Sequence, residues 1–140
     1  MSIIHGLTNS FKTQLLSGQH DLSSDVLKIA LYSSLAELGP QTTAYSATAE
    51  VTGTGYSAGG ATLSGAAISI SNGVAFVDFS DVSWANSSIT ARGALIYNAS
   101  KSNKSVMVLN FGIDRASSGS TFQVKFPTAN KDSALIRIGG

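Results

Sequence analysis

The chain of 140 residues is long enough to form one domain with an ordinary hydrophobic core, and too short for two such domains. It contains no cysteine, which excludes disulfide bonds, thiolate metal sites and thiol nucleophiles. Only 12% of the residues are charged and the net charge is +1, so no basic surplus favours nucleic acid or a membrane surface as a partner. The hydrophobic fraction of 43% argues against a disordered chain.

No targeting segment is recognisable in the sequence. The N-terminus lacks the basic and apolar regions of a secretory signal peptide, and no apolar run reaches the roughly 20 residues that a membrane span needs. We therefore expect a soluble protein that is made in the cytoplasm. Its 34 serine and threonine residues predict a surface covered by hydroxyl groups rather than by charges.

The N-terminal segment, residues 1–20, is predicted to contain one short helix. Thr8 or Asn9 can cap its N-terminus, and Gly18 can end it. A helix of about two to three turns is marginal alone, so it must pack against something. The segment carries six large apolar residues, namely Ile3, Ile4, Leu7, Phe11, Leu15 and Leu16. Two interpretations remain open: the helix caps one end of the β domain, or part of the segment is an arm that docks on a neighbouring subunit.

From residue 26 onward the hydrophobic period changes to two, which is typical of strands. Residues 26–33 predict a strand with Leu27, Ile29 and Leu31 on one face. The polar stretch 34–48 predicts a long surface loop. Residues 50–56 predict a weak strand interrupted by glycines.

The clearest local signal is a β-hairpin with a two-residue turn at Asn72-Gly73, which predicts the type I′ conformation. Pairing Ser71 with Val74 places six apolar side chains on one face, in the pairs Ile70 with Ala75, Ile68 with Val77, and Ala66 with Phe79. A shift of the register by one residue would destroy this agreement.

Four more strands are predicted, over residues 91–97, 106–111, 121–126 and 133–138. Short polar connections at 99–104 and 113–120 predict that the first three are antiparallel neighbours. About eight strands and almost no helix predict an all-β fold, an antiparallel β-sandwich or jelly-roll-like barrel with one short N-terminal helix. We divide the chain into the N-terminal segment 1–20 and a single β-sandwich domain, 21–140.

No residue pattern indicates catalysis, so we expect that the protein is not an enzyme. The two histidines, His5 and His20, do not adjoin a nucleophile motif. Asp78 and Asp81 come nearest to a pair of catalytic carboxylates, but surface and turn positions explain both. An enzyme would lose its activity on mutation of His20, Asp78 or Asp81.

We expect no metal and no cofactor. Asp21 and Asp25 lack the spacing of an EF-hand, and no Cys/His cluster suits zinc. The glycine-rich stretch 53–60 lacks the lysine and the following helix of a phosphate-binding loop. Its glycines instead permit tight turns or the close approach of a backbone, including that of another subunit. A shallow glycan site formed by Tyr45, Tyr56 and Trp84 is a further hypothesis.

Several stretches resemble small structural proteins of tailed bacteriophages. They are DVLKIALY at 25–32, TTAYS at 42–46, EVTGTGYSAGG at 50–60, ITARGALIYN at 89–98 and FQVKFP at 122–127. The resemblance covers most of residues 7–138. It carries no catalytic residues with it.

The resemblance implies a virion structural protein that is present in many copies. Our first expectation is a capsid decoration (cement) protein on the outer surface of the head. It would bind the major capsid protein and copies of itself, as a homotrimer. The alternatives are a tail, neck or fibre-associated protein, whose partners would be tail proteins, or a glycan- or receptor-binding β module.

We select interface residues from the N-terminal segment and from the long stretch 34–60, because both carry apolar or aromatic side chains outside the clearest strands. The selected residues are Ile3, Ile4, Leu7, Phe11, Tyr45 and Tyr56.

Overall fold

The computed structural model describes residues 2–127, 130 and 132–139. Its helix, α1, spans Asn9–Leu16, and a 3-10 turn spans Ala99–Lys101. The strands are β1 (Gly6–Leu7), β2 (Leu27–Tyr32), β3 (Ala61–Thr62), β4 (Ala67–Ser71), β5 (Val74–Asp78), β6 (Val82–Ser87), β7 (Thr90–Asn98), β8 (Lys104–Ala116), β9 (Ser120–Val124) and β10 (Ile136–Ile138). The predicted all-β class with one short N-terminal helix is confirmed. Met1 and Gly140, the outer ends of the two predicted segments, lie outside the described residues.

The strands form three antiparallel sheets. The main sheet has the order β1-β8-β7-β2-β3, a second sheet has the order β10-β5-β4, and a third pairs β6 with β9. One face of the main sheet and the inner faces of the two smaller sheets enclose the larger hydrophobic core. This arrangement confirms the predicted antiparallel sandwich.

Strand β2 is buried on both of its faces. Ile29 and Leu31 belong to the larger core between the sheets. Ala30 and Tyr32 point to the opposite face and belong to a smaller core. An antiparallel sheet usually leaves one face in water, so a further layer must cover this second face.

The covering layer is the stretch 34–48, which is therefore not the plain surface loop that its polarity predicts. Ala36 and Leu38 are 2% and 7% exposed and pack against Tyr32. Leu38 also forms a parallel bridge with Ile3 and accepts a backbone hydrogen bond from Ile4. Few apolar side chains are needed to hold this stretch on the sheet, because backbone hydrogen bonds also hold it there. Backbone hydrogen bonds do not depend on side-chain polarity, so the sequence pattern does not reveal them.

Several predictions about individual strands are wrong. Residues 50–56 form isolated bridges rather than a strand, and β6, which was not predicted, follows the hairpin. Strand β8 continues to Ala116 through much of the predicted polar connection, and β9 pairs with β6 rather than with β8. Polarity reports which side chains are buried, but it does not identify the strand that receives the backbone hydrogen bonds.

The glycine-rich stretch 53–60 lies against backbone of the same chain. Gly60 has φ +80, and a Cβ atom added to it would overlap the carbonyl oxygen of Ile29 in β2. Added Cβ atoms at Gly53 and Gly55 would similarly meet backbone of residues 86–88. The close approach that the sequence predicts is therefore made within the chain, and these contacts require no second subunit.

Replacing Gly60 by alanine should lower the free energy of unfolding by roughly 3 kcal/mol or more, because the new methyl group strikes backbone that cannot move away. Gly18 is the matched control, since its φ is +79 and an added Cβ meets nothing within 4 Å. Gly18→Ala should cost only about 1–2 kcal/mol, from the left-handed backbone alone. Urea unfolding measures both variants, and equal losses would contradict the close approach at Gly60.

Candidate functional site

Strands β4 and β5 form the hairpin that the sequence predicts. Asn72 and Gly73 have φ values of 49° and 79°, as a type I′ turn requires. The paired residues include Ser71 with Val74, Ile70 with Ala75, and Ile68 with Val77. The predicted register is therefore confirmed along the length of β4.

The apolar face of this hairpin is covered only at its inner end. Val77 and its neighbour Ile136 in β10 are 6% and 2% exposed. Nearer the turn, Ile70 and Ile138 are 73% and 52% exposed, and Ile68, opposite Val77 on the edge strand β4, is 54% exposed. These three isoleucines, which we call the isoleucine face, lie on one side of the same sheet. A contiguous exposed apolar patch is typical of an interaction surface.

Strand β4 is also an open edge. It is the last strand of its sheet, and all five of its residues are exposed. Its sequence, AISIS, contains no charged residue and no proline. Proteins usually protect such an edge with charges, proline or a covering segment, so an unprotected edge favours pairing with another strand.

The isoleucine face continues into a groove beneath the C-terminal end of α1. The groove has a volume of about 250 Å³. Its apolar lining comes from both sides, with Leu15 and Leu22 facing Ile68, Val77, Ile136 and Ile138. The exposed surface of the hairpin is thus part of a larger apolar depression.

The N-terminal interface candidates lie mostly inside the chain. Phe11 is completely buried in the larger core, and Ile3, at 9% exposed, packs in the smaller core. Leu7 is half-buried against the larger core. Ile4, at 50% exposed, is the member of this group with substantial free surface. The helix therefore packs on its own β domain, capped by Thr8, whose hydroxyl accepts the N–H of Phe11.

The other two candidates, Tyr45 and Tyr56, meet at one carboxylate. Their hydroxyl groups donate to the two oxygens of Glu50, each at 2.6 Å, and the N–H of Gly59 donates to Oε2 at 2.8 Å. The Tyr56 oxygen accepts the N–H of Leu31 at 2.9 Å, which ties this cluster to β2. Both tyrosines therefore hold the stretch 45–59 on the main sheet, a role that the sequence analysis missed.

The surroundings of this carboxylate keep the tyrosines protonated. Burial and the hydrogen bond to Glu50 raise the pKa of Tyr45 to about 12, and the same causes raise the pKa of Tyr56. The Tyr45 ring stacks on Tyr97 with centroids 4.8 Å apart, and the Tyr97 hydroxyl donates to the carbonyl of Gly59. The sequence does contain a signal for this cluster. Glu50 is one of only two glutamates in the chain, and it lies between Tyr45 and Tyr56.

A second polar network joins the helix segment to the end of β7. Asp25 accepts hydrogen bonds from Lys101 Nζ and Asn98 Nδ2, both at 2.8 Å. Asn98 Nδ2 also lies 2.9 Å from His20 Nδ1, and His20 Nε2 lies 2.9 Å from Gln14 Oε1. The amide nitrogen of Asn98 donates to Nδ1, and the amide oxygen of Gln14 accepts from Nε2. His20 is therefore neutral, with its proton on Nε2.

The pKa values of this network follow from burial and hydrogen bonding. Burial lowers the pKa of His20 below its ordinary value of 6.5, against the attraction of Asp25. Burial alone would raise the pKa of Asp25, but hydrogen bonds from Lys101 and Asn98 outweigh it and hold the pKa at about 2. The ring nitrogens of His20 thus contact two side-chain amides and no nucleophile among the described residues. This network supports the structure of the domain.

Two other chemical candidates, His5 and Asp81, each contact the backbone. His5 Nδ1 accepts the N–H of Asn110, and Asp81 accepts the N–H of Phe126. In the part of the chain that the structure describes, no three His, Asp or Glu side chains are grouped to hold a metal ion. None of the helices in this part is both long and apolar enough to cross a membrane. The absence of enzyme activity stays a prediction.

Two of the three residues considered for a glycan site, Trp84 and Tyr56, contact each other inside the protein, whereas Tyr45 packs against the smaller core. Trp84 is 7% exposed, and its ring lies 5.9 Å from that of Tyr56 and 6.1 Å from that of Phe122. A buried ring offers no flat surface to a sugar. The aromatic cluster is therefore part of the larger core.

Comparison with models of protein families, with curated proteins and with solved structures found no match to this chain.

Replacing Glu50 by glutamine should lower the free energy of unfolding by about 1–3 kcal/mol, because an amide nitrogen then faces donors that have lost their acceptor. The other glutamate, Glu37, is exposed and, among the described residues, accepts the N–H of Ser2 alone, so Glu37→Gln is the matched control. Its effect should stay within about 0.5 kcal/mol. Urea unfolding of both variants tests the difference, and a similar small loss in each would contradict the role of Glu50.

The stability of the folded chain should fall as the pH drops below 6.5. Unfolded His20 takes up a proton near its ordinary pKa of 6.5, whereas the folded state, with its lowered pKa, resists protonation. The stabilisation present above pH 6.5 is therefore lost as the pH falls through the lowered pKa. Thermal melting between about pH 7.5 and pH 5 measures this loss.

His20→Gln is the control for this pH dependence, because it removes the titrating ring and leaves His5 unchanged. The variant should melt at a nearly constant temperature over the same pH range. If wild type and variant respond equally to pH, His20 is not the responsible group.

Proposed function

We propose that this chain is a structural protein of a bacteriophage virion that assembles in many copies through the β4–β5 hairpin. The observation that carries the proposal is the isoleucine face beside the open, uncharged β4 edge. Our preferred location is the outer surface of the head, as a capsid decoration protein that binds the major capsid protein. A tail, neck or fibre location would use the same surface.

The occupant of the isoleucine face is a second copy of this chain. Antiparallel pairing of two β4 strands about Ser69 sets Ile68 of each copy opposite Ile70 of the other, so the edge is complementary to itself. Full burial of an isoleucine contributes about 1.5–3 kcal/mol, so several partly exposed isoleucines can stabilise such a contact. This surface replaces Phe11 and Ile3 as the centre of the proposed interface.

The composition supports repeated assembly. A net charge of +1 produces little repulsion between neighbouring copies. The absence of cysteine makes the assembly independent of the redox state of the compartment. The proposal as a phage protein rests on the resemblance of five sequence stretches, and the hairpin supplies the surface through which copies associate.

Replacing Ile70 by lysine should shift the purified protein from an oligomer to a monomer, because it places a charge on the open edge. Ile113→Lys is the matched control, since Ile113 is 66% exposed and lies on β8, away from the hairpin. Light scattering after size-exclusion chromatography measures the mass. A dimer would support the pairing of two β4 edges. A trimer would agree with the resemblance but would contradict this pairing, because a two-fold contact closes at two copies. A wild-type monomer at high concentration would exclude self-association through the hairpin.

Purified particles of the phage that encodes this protein test its location. Quantitative mass spectrometry should count hundreds of copies per particle, and image reconstruction should place them on the head. Copies in multiples of three, six or twelve at the neck or tail would move the protein to the tail. Its complete absence from particles would overturn the virion proposal.

A further inference from the structure

A second cleft shares no lining residue with the isoleucine face or with the groove beside it. It has a volume of about 540 Å³, within the range of small-ligand sites. Its walls come from β1, β8 and residues 124–127, 133–135 and 137. Arg137 lines it, whereas Ile136 and Ile138, its neighbours on β10, line the groove beside the isoleucine face instead.

The floor of the cleft is apolar and partly open. Phe111, Phe126 and Leu135 line it and are each half-buried. The Phe111 ring packs 6.4 Å from Phe122, and the Phe126 ring packs 6.4 Å from Phe79. Both rings are therefore held by the core, and the floor exists before any ligand binds.

The rim of the cleft carries three positive side chains. Arg115, Lys125 and Arg137 line it together with His5, and its described lining contains no aspartate or glutamate. The whole chain has nine Lys and Arg residues against eight Asp and Glu residues, so this separation of charge is local. The two salt bridges among the described residues, Arg92–Asp114 and Lys101–Asp25, involve none of these cations.

Two acidic residues border the cleft without lining it. The carboxylate of Asp81 accepts the N–H of Phe126, and the backbone carbonyl of Asp132 accepts a hydrogen bond from Arg137. Neither contact supplies a carboxylate to the lining.

The guanidinium of Arg115 is held in place. It lies 5.2 Å from the centre of the Phe111 ring and 5.5 Å from that of Phe122, and Nη2 donates to the carbonyl of Gln123 at 3.0 Å. A guanidinium has five N–H donors, so others stay available to a carboxylate. An arginine that is already oriented loses less entropy when it binds an anion.

We propose that this cleft binds a small organic anion. The carboxylate of the ligand pairs with Arg115 and the neighbouring cations, and its apolar body covers Phe111, Phe126 and Leu135. Charge complementarity selects an anion, and the apolar floor selects a ligand with a hydrocarbon part. The site is independent of the proposed assembly through the hairpin, since the two use different surfaces.

Octanoate is a suitable probe, and octanamide is its neutral counterpart of equal chain length. Titration of the ¹⁵N-labelled protein with octanoate should produce saturable shifts of the backbone signals of Phe111, Arg115 and Phe126. Octanamide should bind at least about tenfold more weakly, because it lacks the charge that the rim recognises. Equal binding of the two probes, or shifts confined to other regions, would overturn the proposal.

Two charge-removing variants test the rim. Arg115→Met keeps an unbranched stem on the two phenylalanine rings, and Lys125→Met alters an exposed side chain that the fold does not need. Each should weaken octanoate binding, Arg115→Met by about tenfold or more. Lys12→Met removes the same charge from an exposed position on α1, outside the cleft, and should leave binding unchanged. Equal affinities in all three variants would show that the rim charges do not bind the anion.

Discussion

The central strands of the main sheet must be covered on both faces, and the rest of the structure is arranged around that requirement. Tyr32 and Leu95 point to one side and Ile29 and Ile96 to the other, and none is more than 1% exposed. The two smaller sheets cover one face with apolar side chains. The polar stretch 34–48 covers the other face. Directed hydrogen bonds hold it there, above all those that Glu50 accepts from two tyrosines and a backbone N–H.

The way in which the two faces are covered explains the isoleucine face on the surface. The smaller sheets cover the larger core with their inner ends, so the apolar face of the hairpin continues past the core into solvent. A chain with only 12% charged residues has few side chains with which to protect such an edge. Its cations are also unevenly placed, because Arg115, Lys125 and Arg137 gather around one apolar cleft. The isoleucine face thus reflects a lack of charged residues at the hairpin. The cleft reflects a local excess of positive charge.

The candidate surface could be predicted only in part. Ile68 and Ile70 were assigned to an apolar face from their alternation, but the same pattern marks buried strands, and nothing local showed that this face extends beyond the core. Phe11 illustrates the reverse case, since an apolar residue in a short terminal helix is equally compatible with an exposed arm and a core position. Burial depends on what packs against a residue, and that partner is often distant in the sequence. Phe11, for instance, shares its core with Val106 and His20.

The sequence by itself determined the features that depend on neighbouring residues. The hairpin register follows from Asn72-Gly73 and the alternation around it, and the helix begins at the Thr8 cap, because turn geometry and capping are local interactions. Only the tertiary structure decided that β9 pairs with β6, that β10 joins β5, and that a polar stretch closes the second face of the main sheet. Backbone N–H and C=O groups are the same in every residue, so the choice among strand partners is made by the packing of the whole chain.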